Sequence, residues 1–151
     1  MRYLTKREKE ETLGYLRDRY KKASLDSDGH LDLEMIPYLE RINACDGMVT
    51  LQSCTGHKKT KKCPYMSGGH LWVRLNKKMT VLFNRGLWQL VRCRFITQVD
   101  KIYSFHEFVE VQEVIDISFP GYETDSFYQT IEFITRFFEK LCRRSKAIKN
   151  G

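Results

Sequence analysis

No run of eighteen or so apolar residues occurs anywhere in the chain, which excludes a helix able to cross a membrane. Proline is scarce, at three residues, and glycine stands at nine, so neither a proline-rich nor a glycine-rich linker divides the sequence. No internal repeat or low-complexity tract is present. Cys45, Cys54, Cys63, Cys93 and Cys142 are odd in number and scattered, which argues against a disulfide framework and for buried thiols or ligands. The opening MRYLTKREKEE has no apolar signal-peptide core, so a cytoplasmic location is expected. Also missing are a nucleophilic triad, a phosphate-cradling glycine motif, a dinucleotide fingerprint and a carboxylate pair suited to hydrolysis.

What is present is basic. The net charge is +7 and the pI about 9.2 over 151 residues, of which 42% are hydrophobic and 30% charged. These values fit one soluble domain spanning 1–151, with a short basic tail at 143–151. The charge is segregated: acids gather near the N-terminus and between Glu107 and Asp125, while lysine and arginine dominate from Lys58 to Arg94 and in the final RRSKAIK. A segregated surplus favours a polyanionic partner, RNA above all.

The hydrophobic pattern predicts an α+β domain, with a mixed sheet covered by N-terminal helices and a long C-terminal helix. Thr5 and Glu8 form a T-x-x-E capping box, in which each side chain satisfies the other's free backbone N–H. Leu13, Leu16 and Tyr20 then recur on one helical face. Asp32 can cap a second helix with the face Met35, Leu39 and Ile42, in which Pro37 is tolerated near the first turn. Asp46-Gly47 is a turn, MVTLQS and LWVRL read as strands, and LWQLVRCRF reads as a third. From Phe105 to Phe119 the pattern is ambiguous: EVIDISF alternates like a strand, and the part before it suits a helix as well. Phe127, Ile131, Ile134, Phe138 and Leu141 mark the last helix, with arginines at its C-terminal end.

The run DSDGHLDLEMIPYLERINACDGMVTLQSCTGH resembles the opening of the tRNA wybutosine-synthesis methyltransferase family. Gly29, Leu31 and Asp32 match its acidic-glycine turn, Ile42-Asn43 its helix end, and Ser53-Cys54-Thr55-Gly56-His57 its Ser-Cys-Ser-Gly-Arg hallmark. LWQLVRCR resembles a later family strand. The resemblance covers about sixty residues well and the rest loosely. It implies an S-adenosylmethionine-dependent tRNA methyltransferase, an archaeal setting, and cofactor binding at Ser53, Cys54, Thr55, Gly56 and His57. Departures are His57 at the hallmark arginine, Gln89 near a family histidine, and Ser67-Gly68-Gly69-His70 at the place of a Ser-His pair.

Read from their chemistry alone, Ser53, Thr55 and Gly56 at a strand end can present N–H groups and hydroxyls to an anion, or can merely close a turn. Lys58, Lys59, Lys61, Lys62, Trp72, Arg74, Arg92 and Arg94 combine cations with an aromatic ring, the means by which RNA is held; a solvated face with a core tryptophan is the plainer alternative. Cys54, His57, Cys63 and His70 offer a zinc-ligand set at non-standard spacing, which makes a zinc-stabilised structural domain a further alternative. A non-catalytic RNA-binding module of the same fold is another. SLDSDGHLDLEM imitates a calcium loop, but its last position falls on Met35 instead of a bidentate glutamate.

Overall fold

The computed structural model describes residues 1–25, 33–54, 68–106, 110–121 and 125–149. The first helix, α1 (Lys6–Leu25), begins at the predicted capping box. Thr5 N–H donates to Glu8 Oε2 at 2.8 Å, and Glu8 N–H donates back to Thr5 Oγ1 at 3.2 Å. A 3₁₀ turn (Leu33–Met35) leads into α2 (Ile36–Asn43), with Pro37 in its first turn, where no intrahelical N–H is lost. Met35, Leu39 and Ile42 are buried along the expected face, so the residue at the last position of the calcium-like loop is a core side chain. Asp32 lies outside the described residues.

Strands β1 (Met48–Cys54) and β2 (Gly69–Leu75) pair antiparallel. Helix α3 (Lys77–Val91) follows, then β3 (Gln98–His106), β4 (Glu110–Phe119) and α4 (Phe127–Lys149). The sheet order is β1-β2-β4-β3. All three strand pairings are antiparallel. The expected mixed sheet is therefore corrected: the parallel pairing found among the described residues is an isolated bridge between Arg2 and Gln112. The α+β class stands.

One element changes type. LWQLVRCRF, expected as a strand, begins inside α3 and runs through its C-terminal end. Asn76 caps this helix by accepting from the Met79 N–H at 2.8 Å. Met79, Leu82, Phe83, Gly86 and Leu90 are buried at helical spacing. That period is visible only when the window opens at Met79; from Leu87 onward too little of it remains. Of the ambiguous region, the described part is strand.

The main core lies between one face of the sheet and α2, α3 and α4. Leu71, Val73 and Leu75 of β2 and Ile115, Ile117 and Phe119 of β4 meet Phe83, Phe127, Ile131, Ile134 and Phe138 there. The predicted stripe of the last helix is buried throughout. Arg41 on α2 is clamped to α4 by Glu132 at 2.7 Å and Glu139 at 2.6 Å. Asn43 ties the end of α2 to β1: it accepts from Thr50 N–H at 2.8 Å and donates to Thr50 Oγ1 at 2.9 Å. The register slips between Thr50 and Gln52, so Asn43 satisfies the backbone at the irregularity.

Gly47 makes the turn into β1 with φ of 80°. A Cβ there would collide with the Asn76 side chain that caps α3. Gly47→Ala is therefore expected to cost about 2–3 kcal/mol, from left-handed backbone strain and a displaced cap. Urea unfolding should show a lower midpoint at unchanged slope; an unaltered midpoint would mean that turn and cap are not coupled.

Candidate functional site

Among the described residues, the other face of the sheet is only half covered. α1 packs over β1, where Leu4, Leu16 and Val49 are buried and Leu13, Tyr20 and Leu51 join them. Arg74 on β2 is buried beneath this layer and pairs with Glu8 Oε1 at 3.2 Å. It is thus committed to α1 and withdrawn from the RNA-facing role the sequence suggests for it.

Farther along the same face, the strands present an open groove of about 360 Å³ lined by Gly68, Gly69, His70, Trp72, Thr97, Asp116, Ser118 and Phe119. Strand register assembles it. Trp72 stands opposite Asp116, and Asp116 opposite Asp100; the next row is His70, Ser118 and Gln98. Side chains alternate across a strand, so the outward positions of three strands converge while Leu71 and Ile117 face the core. The His70 and Trp72 rings lie 6.2 Å apart, tilted by 47°. Gly68 and Gly69 close one end, pressed so tightly on Phe119 that a side chain at Gly69 would strike its ring.

Asp116 is the electrostatic centre of the groove. One of its carboxylate oxygens is buried and has no hydrogen-bond partner among the described residues. Burial pushes its pKa up against the pull of His70; the neighbouring Asp100 charge adds to the rise and the Trp72 hydrogen bond opposes it. Asp100 is itself engaged by Gln98, whose Nε2 donates to it at 2.6 Å. An unused acceptor beside an indole surface suits a flat ligand that carries N–H donors or a positive charge.

The predicted site residues divide around this groove. His70 and Trp72 line it. Ser53 is half-buried and pairs with Leu71, a core-facing position, so it stands on the opposite face from Trp72. Cys54 ends β1 and pairs through its backbone with His70. Thr55, Gly56, His57, Lys58, Lys59, Lys61, Lys62 and Cys63 lie outside the described residues, and with them most of the zinc-ligand set. Among the described residues no three potential ligands cluster. Cys45 and Cys142 are buried thiols; burial, together with the Cys142 thiol, raises Cys45 to about 12.

Arg92 and Arg94 sit at the end of α3, well away from Arg74 in role. Arg92 stacks over the Trp88 ring at 5.2 Å, and Arg94 over Phe95 at 4.6 Å. Asp116 escapes a reading of the sequence although a signal exists: it breaks the apolar run Val114-Ile115-x-Ile117 of EVIDISF with a residue type strands disfavour.

The fold and groove define an α+β domain with a four-stranded antiparallel sheet and a polar-aromatic patch on its half-covered face. No protein-family model matches the chain, and no curated protein is similar to it. Among solved structures, the PH1069 protein from Pyrococcus horikoshii is similar: 16% identical, covering 93% of each chain, with a TM-score of 0.50. At that identity the likeness concerns the fold alone.

Proposed function

We propose that the protein is an S-adenosylmethionine-dependent methyltransferase-like protein acting on tRNA, of the wybutosine-synthesis type, and that the groove of His70, Trp72 and Asp116 receives a flat heterocycle. The observation that carries this reading is the partnerless, buried Asp116 oxygen beside the Trp72 indole. The resemblance of the N-terminal sixty residues supports it, and the described part of the hallmark, Ser53 and Cys54, ends β1 beside Leu71 and His70.

S-adenosylmethionine joins a flat adenine bearing an exocyclic amine to a cationic amino-acid end, so its donors and charge fit an unpaired carboxylate beside an aromatic surface. When bound, it supplies a methyl group already activated by its sulfonium. The chain's own work is then positioning. Trp72 offers a stacking surface, and Asp116 accepts from a ring or amino N–H. Bound to a base, these contacts fix the angle of the heterocycle in a pocket whose floor is a rigid sheet.

Calorimetric titration of the whole protein with S-adenosylmethionine, with and without bulk tRNA, tests this. Saturable one-to-one binding is expected, weakened about tenfold or more by Asp116→Asn, since a hydrogen bond to a charged group contributes about 1.5–3 kcal/mol. The same variant should melt higher than the parent. A carboxyl whose pKa is raised by folding lowers stability as pH rises through that pKa, and the amide removes the effect. Tighter folding with weaker binding is the signature of a binding residue. No binding heat in either condition would sink the cofactor reading.

A second reading, an RNA-binding module without methyl transfer, is favoured by the helical placement of LWQLVRCR, which separates it from the family strand it resembles. Binding of tRNA with no response to S-adenosylmethionine would select it.

A further inference from the structure

Between α3 and α4, on the side away from the sheet, lies a cavity of about 650 Å³. Trp88, Arg92, Phe133, Arg136, Lys140 and Arg143 are among the residues that line it, and none of the described residues in its lining is acidic. Trp88 is 53% exposed and Phe133 38%, while most large apolar side chains among the described residues are buried. Arg92 stacks over Trp88 at 5.2 Å and leaves the rest of the ring open to the groove. Arg136 pairs with Glu132 at 2.8 Å, and Glu132 and Glu139 together hold Arg41, so these two acids balance two guanidiniums and leave Arg92, Lys140 and Arg143 to charge the groove. Among the described residues, Lys140 reaches only the neutral Gln89, at 3.5 Å. The groove therefore keeps a positive surplus around an accessible aromatic floor.

We propose that this α3/α4 groove binds single-stranded RNA, with an unpaired base on Trp88 and backbone phosphates on Arg92, Lys140 and Arg143. Aromatic platforms bordered by cations are what such binding requires, because every base offers a face to stack and every nucleotide carries a phosphate. A duplex keeps its bases stacked and out of reach, so an unpaired segment is the fitting partner. The recess argues against a lipid surface, which would be met by a convex apolar face; here the rings sit between two helices under long cationic side chains. The inference rests on the RNA partner of the reading above, and not on methyl transfer, since the groove shares no residue with the His70, Trp72 and Asp116 site.

Fluorescence anisotropy with a labelled RNA oligomer of about a dozen nucleotides, titrated at several salt concentrations, provides the test. Trp88→Ala should weaken binding about five- to hundredfold. Arg92→Gln with Lys140→Gln should make the salt dependence shallower by about 1.4 in the log–log slope, roughly 0.7 for each phosphate that is no longer neutralised. Binding by the parent protein that neither variant alters overturns the groove while leaving an RNA partner in place. No binding of oligomer or tRNA by the parent overturns both. Association with phosphatidylserine vesicles, abolished in the variants while RNA is ignored, would replace RNA by a membrane surface.

Discussion

Replacing Glu8 by alanine is expected to lower stability by about 3 kcal/mol near neutral pH, the scale of breaking a buried ion pair. Glu8 lies at the junction of α1, the N-terminal segment and β2. Its Oε2 accepts from the Thr5 amide at 2.8 Å, and its Oε1 accepts from Arg2 Nε at 3.1 Å and from Arg74 Nη1 at 3.2 Å. The Arg74 side chain is only 8% exposed, and its Nε and Nη2 already lack partners among the described residues. Without Glu8, a buried guanidinium loses its counter-charge and the capping box of α1 loses the acceptor for the Thr5 N–H. The exposed Arg7–Glu11 pair, at 88% and 62% exposure, offers the contrast: Glu11→Ala should change stability by no more than about 0.5 kcal/mol. Glu8→Ala combined with Arg74→Met should recover most of the loss, because no buried charge then remains unpaired.

The Glu8 effect also has a pH signature. Burial alone would raise this carboxyl, but the Thr5 amide, Arg2, the Thr5 hydroxyl and Arg74 together outweigh it and hold it at about 2, down from 4.5. A folded-state pKa below the unfolded one contributes stability that is complete above the unfolded value and fades as pH falls toward the folded one. The gap between parent and Glu8→Ala should therefore narrow steadily from about pH 5 down to about pH 2. Urea unfolding across that range measures it. A gap independent of pH would show that the carboxylate charge contributes nothing.

Phe83→Ala should have an effect of similar or greater size, about 3–5 kcal/mol. The ring is fully buried. It stacks on Phe138 at 6.1 Å and 15°, and meets Phe137 edge-on at 5.8 Å and 85°. Those rings hold α3 against α4, and the cavity left by alanine would lie in the middle of that packing. Trp88→Ala, on the same helix but half exposed, should stay within about 0.5 kcal/mol of the parent. The pair separates the two faces of α3 in one thermal melt: the inner ring holds the fold and the outer ring is free for a ligand. Equal losses at the two positions would refute that division.

Local features of the sequence suffice for much of the framework. The Thr5–Glu8 box, the Met35-Leu39-Ile42 face, the Asp46-Gly47 turn and the Phe127-to-Leu141 stripe all depend on neighbours within a few residues, and all are found where the pattern puts them. β3 is harder to read because it is an edge strand with Asp100, Lys101 and Ser104 among its apolar residues, which blurs the period-two signal. The end of α3 is mistaken for a strand because its last turns, taken alone, alternate much as a strand does.

The candidate site depends on pairing between distant segments. Nothing local pairs Trp72 with Asp116, or tells that Arg74 points at Glu8 while Trp72, two residues earlier on the same face, is left half open. Ser53 and Trp72 lie close in the paired strands yet on opposite faces, because a side chain's face follows from register, and register is set by pairing. The sequence by itself determined α1, α2 and α4, the basic surplus and the resemblance carried by its first sixty residues. Tertiary structure decided which cations are spent on internal pairs and which remain free, because burial and counter-charge belong to a folded neighbourhood and not to a position in the chain.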